Sequence, residues 1–215
     1  VLNTIAIYSN NQIDGVDNPS WAKNGNNVTV YVVADEPLRV PPTITIQGRP
    51  ATVTNPSNDL LTYFATHTMD GTDTEGAVAF TIAFQNTLGV AGVTITDIGN
   101  GLTTTNASAV TYDRQAPTLS AVTIRTDNSD TTYAKVGSII TLAFTAANTE
   151  NLLAKPAVTI LGHTLAAADV SGSGASWTAT YTAAAGDDED TVPFTIDFFD
   201  YAGNAGTQVD AIVNG

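Results

Sequence analysis

Apolar residues recur at every second position in several short runs of this chain. Val28, Val30 and Val32 form one; Val78, Phe80, Ile82 and Phe84 another; Val192, Phe194, Ile196 and Phe198 a third. Thr195 and Asp197 fall between and face the other way. Period 2 marks a strand with one side turned to a core. No window carries a helical stripe of apolar residues at i, i+3, i+4 and i+7. Asn24-Gly25, Asn58-Asp59 and Gly172 to Gly174 punctuate the runs as turns do. The pattern predicts an all-β chain of short antiparallel strands, in the manner of a sandwich.

The pattern is also written twice. YFATHTMDGTDTEGAVAFTIAF, from Tyr63, lies without a gap over WTATYTAAAGDDEDTVPFTIDF, from Trp177, an offset of 114 positions. Phe80, Ile82 and Phe84 fall on Phe194, Ile196 and Phe198. Upstream, WAKNGNNVTV from Trp21 matches YAKVGSIITL from Tyr133, and VLNTIAIYSNN matches TLSAVTIRTDN from Thr118. Order, spacing and hydrophobic phase all repeat, so the chain reads as two tandem domains, 1–112 and 113–215, of about seven strands each. Tyr63 and Trp177, at matched places, read as core aromatics. The junction Tyr112-Asp113-Arg114-Gln115-Ala116-Pro117 is short and stiffened by its proline, which predicts domains held end to end.

Composition narrows the function classes. Seven Lys and Arg against 21 Asp and Glu leave a net charge of −14, which argues against phosphate backbones and anionic membrane surfaces. Charged residues make up 13% of the chain, about half the usual share, so the polar surface rests on Thr, Ser, Asn and Gly. Cysteine is absent, which excludes disulfides and thiolate metal sites. No stretch is long and apolar enough for a membrane-spanning helix. VLNTIAIYSN at the start has neither an initiator Met nor the build of a signal peptide, and reads as part of a longer chain.

DRQAPTLSAVTI, YAKVGSIITLAFTA, WTATYT and VPFTIDFFDYAGNAG together resemble the tandem bacterial Ig-like repeats of large surface proteins and adhesins. The resemblance is clearest in the second copy and rests most on the D-x-A-G-N phrase at Asp200 to Asn204. The first copy has Asn86 and Val90 at those places, which puts a shared role for the loop in doubt. The resemblance implies tandem immunoglobulin-like sandwiches, a spacer in an extracellular array on the cell surface and, in many relatives, calcium at domain junctions.

In that topology the loops around the junction carry acids. The second copy presents Asp113, Glu150, Asp200 and Asn204. The first presents Asp14, Asp17, Asp70, Asp73 and Glu75. Carboxylates gathered at one place need neutralising, and Ca²⁺ takes 6–8 hard oxygens. The expected metal set is therefore Asp113, Glu150, Asp200, Asn204, Asp70, Asp73 and Glu75, with Asp187-Asp188-Glu189-Asp190 placed to meet a further domain. The same residues also read as solvated turn formers: Asp starts Asx turns and Gly203 supplies the positive φ of a tight hairpin. No EF-hand frame is present.

Other chemistry is thin. His67 and His163 have no evident partner in sequence, His67 falling on Tyr181, and no nucleophile elbow or phosphate loop is present, so no enzyme is expected. Lys23 and Lys135, each beside a glycine turn, read as exposed amines rather than members of an isopeptide bond. Asn27-Val28-Thr29 and Asn106-Ala107-Ser108 match the glycosylation sequon by chance expectation. A sugar-binding module would need solvent-facing aromatics, and Tyr201 and Trp21 are its candidates. The first copy also carries a late strand-like run, Ala109 to Tyr112, with no counterpart in the second. Trimming is preferred over donation of that edge by another molecule, because exposed edges are usually managed within a chain. The reading is a structural spacer whose partners are neighbouring repeats or identical subunits; a filament or surface-layer subunit and a carbohydrate- or protein-binding module are the alternatives.

Overall fold

The computed structural model describes residues 1–13, 15–147 and 156–214. Among them there is no helix, and the chain divides into two compact units, Val1–Arg114 and Gln115–Gly215. The boundary falls two residues after the expected one for a local reason. The Asp113 N–H donates to the Ala22 carbonyl at 2.9 Å, and the Arg114 guanidinium bonds Glu75 Oε1 at 3.2 Å, so both residues are tied to the first unit.

The first unit opens with β1 (Leu2–Ser9), β2 (Gln12–Ile13), β3 (Val16–Asp17), β4 (Trp21–Ala22) and β5 (Asn27–Ala34). It continues with β6 (Thr43–Ile46), β7 (Arg49–Pro50), β8 (Thr52–Thr54) and β9 (Thr62–Thr68), and closes with β10 (Gly76–Ala77), β11 (Phe80–Ala83), β12 (Ile95–Asp97) and β13 (Thr111–Tyr112). One sheet runs β1-β5-β9-β8 and the facing one β12-β11-β6-β7. The alternation read from sequence sets their inner faces: Val28, Val30, Val32, Ile44, Ile46, Ala65, Phe80 and Ile82 meet in one core. A third, short sheet, β10-β13-β4, closes the unit, with β13 parallel to β4 and antiparallel to β10. It buries Val110 and Tyr112.

The second unit repeats this with β14 (Leu119–Thr126), β15 (Ile139–Ala146), β16 (Ala157–Ile160), β17 (His163–Thr164), β18 (Val170–Ser173), β19 (Ser176–Thr182) and β20 (Phe194–Asp197). Its sheets run β14-β15-β19-β18 and β17-β16-β20. Four strands against three or four, in this order, is an immunoglobulin-like sandwich in each unit. The repeat extends to single hydrogen bonds. Thr45 and Thr81 hydroxyls meet at 2.6 Å between β6 and β11, and Thr159 and Thr195 meet at 2.7 Å between β16 and β20. Tyr63 and Trp177 are both buried, as their matched places predict. The strand-like run before the junction is β13; the described residues of the second unit hold no equivalent strand.

Candidate functional site

The loop after β9 carries Asp70, Asp73 and Glu75 of the expected metal set, the loop after β19 carries Asp187 to Asp190, and the structure gives several of these acids other work. Asp73, whose side chain is fully buried, accepts from the Asp70 N–H at 2.8 Å, lies 3.0 Å from His67 Nε2 and is paired with Arg49 Nε at 3.0 Å. Asp187 stands in the matching place. It accepts from the Ala184 N–H at 2.7 Å and the Tyr181 hydroxyl at 3.0 Å, with His163 Nε2 at 2.9 Å. His67 and Tyr181, and Arg49 and His163, are thus paired substitutions doing one job: holding a carboxylate that closes a loop. Backbone donation from Ala184, then the bonds from His163 and Tyr181, keep the Asp187 carboxyl below the usual carboxylate range against the opposing effect of burial.

Asp70 caps the turn beside it. Its carboxylate accepts from the Thr72 hydroxyl and from the Thr72 N–H at 2.8 Å, which lowers its pKa, with Arg49 adding to the effect. Glu75 is paired with Arg114 at 3.2 Å. Asp200 is 2% exposed and spans its hairpin, taking the Asn204 N–H and the Asn204 side-chain amide at 2.8 Å each. The first unit builds the same hairpin with other residues. Asn86 Oδ1 accepts from the Val90 N–H at 2.9 Å, and Gly89 and Gly203 share a positive φ near 80°. The departure of the first copy from D-x-A-G-N therefore changes the residues and keeps the turn.

Asp17 is bonded by Gln12 at 2.7 Å. Asp14 and Glu150 lie outside the described residues. Among the described residues no group of three or more His, Asp and Glu is gathered as a metal ion would need. Asp70, Asp73 and Glu75 already hold cations and N–H donors of the protein, so as arranged they do not fit a calcium donor set. Lys135 is exposed and Lys23 half-buried. No helix among the described residues is long and apolar enough to cross a membrane.

One surface feature escaped the reading of the sequence. Tyr8, Tyr31 and Phe64 project from the outer face of the β1-β5-β9 sheet, with Tyr31 and Phe64 directly paired and their rings 5.0 Å apart at 40°. Burial, and then the neighbouring Tyr31, raise the pKa of Tyr8. Each of the three aromatics occupies the polar phase of its strand's alternation, which marks each one as outward-facing but not that the three are neighbours. Tyr201, at 37% exposure, and half-buried Trp21 are the candidates named from sequence.

The sheet order defines both units as immunoglobulin-like sandwiches. Residues 113–214, which take in nearly all of the second unit, match the family model of the bacterial Ig-like domain. Such a domain fits a module of a bacterial surface protein. No curated protein matches the chain significantly. Among solved structures, the surface glycan-binding protein PbSGBP-B from Prevotella bryantii is similar over 98% of this chain and 41% of its own, at 12% identity and a TM-score of 0.27. The SGBP-B of the mixed-linkage glucan utilization locus of Bacteroides ovatus, in complex with a mixed-linkage heptasaccharide, is similar over 93% of this chain and 43% of its own, at 14% identity and a TM-score of 0.24. The chain spans less than half the length of either, and likeness at this level carries no functional argument.

Proposed function

We propose that the chain is a load-bearing spacer of an extracellular bacterial surface protein, with neighbouring repeats as its partners and no catalytic role. The observation that supports this most directly is the parallel pairing of β4 with β13, Trp21 beside Thr111 and Ala22 beside Tyr112. Parallel pairing of an early and a late strand puts the two ends of the first unit at opposite poles. Tension between those ends then loads the hydrogen bonds from Thr111 N to Ser20 and from Asp113 N to Ala22 together, in shear, instead of opening them one by one. Pulling the full chain from its ends tests the reading. Two separate unfolding events are expected, each releasing on the order of 100 residues, roughly 350 Å of extended chain. Gradual extension without events would overturn it.

Calcium is a finer proposal. To reach Asp70, Asp73 or Glu75 a metal would have to displace Arg49, Arg114 or loop amides, and a melt in EDTA against one in CaCl₂, with Mg²⁺ as control, decides it. A calcium-specific rise supports a metal-clamped spacer, and an unchanged melt a plain one.

The strip of exposed Tyr8 and half-buried Tyr31 and Phe64 favours a second reading, a carbohydrate-binding face, since sugar rings stack on aromatic side chains at a surface. Titration with soluble glycans tests it. Binding that is lost in Tyr31→Ala supports this face; no binding by the unaltered chain overturns it.

A further inference from the structure

No strand of the β1-β5-β9-β8 sheet contains Asp, Glu, Lys or Arg, in a chain whose net charge is −14. His67 falls in the inward phase of β9, where Asp73 holds it. The outer face is therefore built of uncharged side chains. Strand register arranges them in rows. Ala6, Tyr31, Phe64 and Thr54 form one row across the sheet, and Tyr8, Thr29, Thr66 and Thr52 form the next. Tyr8, Thr52 and Thr54 are exposed; Tyr31, Phe64 and Thr66 are half-buried. At the matching places the second unit has Arg125, Ala143 and Thr178, so no ring stands there.

This arrangement limits what can lie on the face. Tyr8, Tyr31 and Phe64 sit on three adjacent strands, and neighbouring strands are about 4.8 Å apart. The Tyr31 and Phe64 rings are 5.0 Å apart and tilted 40° to one another. A rigid, flat ligand cannot stack on both rings at that tilt. A chain of separate rings, joined by bonds that rotate, can follow them. Sugars stack through a face of C–H groups, and that face is open where hydroxyls and linkages are equatorial.

Hydroxyls border the rings. Thr29 and Thr66 bond each other at 3.0 Å, and such a pair keeps one proton and several lone pairs for a ligand. Charge decides the rest. An acidic glycan would meet the field of a chain at −14 with no cation on the face to hold its carboxylates. A basic glycan would find no carboxylate there.

We propose that Tyr8, Tyr31 and Phe64 bind a neutral, linear glycan of equatorially linked hexopyranoses, laid across β1, β5 and β9. Each aromatic takes one sugar ring, and the hydroxyls of Thr66 and Thr52 bond the sugar hydroxyls alongside. The proposal rests on the carbohydrate reading of this face and names its ligand.

Three hexasaccharides titrated into the full chain, followed residue by residue by NMR, test it: β-1,4-linked glucose, β-1,4-linked glucuronic acid and α-1,4-linked glucose. The first should give saturable shifts at residues 6–8, 29–33 and 64–66 and none in the second unit. The acidic and the axially linked sugars should bind at least about tenfold more weakly. Tyr8 is exposed, so Tyr8→Ala should keep the fold and lose at least about tenfold in affinity. Equal or tighter binding of either comparison sugar at the strip would overturn the proposed ligand and leave the carbohydrate reading standing. Shifts away from the strip, unchanged in Tyr8→Ala, would overturn the site. No shift with any of the three at millimolar concentration would overturn both the proposal and the reading beneath it.

Discussion

Asp73 and Asp187, 114 positions apart, close the same loop in the two units by accepting a backbone N–H three residues upstream and a side chain from the preceding strand. In one unit that side chain is His67 and in the other Tyr181. Removing the carboxylate leaves a part-buried N–H and a cation without their acceptor. Asp73→Ala should therefore destabilise the first unit by about 1–3 kcal/mol. His67→Tyr should cost clearly less than His67→Ala, since a tyrosine hydroxyl already does this work in the second unit. Urea denaturation of the three variants checks both statements.

Acid should loosen the first unit through Asp97. Burial opposes ionisation of this carboxyl, but the Thr103 hydroxyl at 2.6 Å, the Thr103 N–H at 3.1 Å and the Gly99 N–H at 2.6 Å outweigh it and hold its pKa below the ordinary value. A carboxyl depressed in the folded state adds stability in full above its unfolded pKa, about 3.9. That contribution is lost as pH falls through the folded value. The urea midpoint should be level from pH 7 to 5 and fall below about pH 4. Asp97→Asn should start lower and show a shallower acid fall, measured by the same titration.

Two glycines stand under aromatic rings. A Cβ added at Gly206 would lie 2.2 Å from the Phe198 ring, and one at Gly92 as close to the Phe84 ring. Phe198 is buried and Phe84 half-buried, so the second ring has room to swing. Gly206→Ala should cost about 1–3 kcal/mol as overpacking, and Gly92→Ala less. Thermal melts of both variants test this order.

The strand runs and their duplication were legible because strand alternation is local and the offset of 114 positions keeps it in phase. Val28, Val30 and Val32, or Phe194 and Ile196, state which side is inside with no help from distant residues. The partners of the loop acids were not legible, for the opposite reason. Nothing near Asp73 in sequence says that Arg49 lies against it, and a carboxylate with a distant cation reads like one awaiting a metal. His67 looked idle beside Tyr181 because the two share no chemistry except the one bond to an aspartate. The aromatic strip was hidden differently. Tyr8, Tyr31 and Phe64 lie on three separate strands, and only the β1-β5-β9 pairing brings them together.

The central claim is that the parallel β4–β13 pair bears tension, and a proline at Thr111 tests it most directly. Proline removes the N–H that donates to Ser20 and leaves the second unit untouched. Forced unfolding follows the barrier to rupture, so the loss of one shear bond should show as force. Pulled from its ends, the Thr111→Pro chain should show one of its two unfolding events at clearly lower force and the other unchanged. Two events at their original forces would contradict the account.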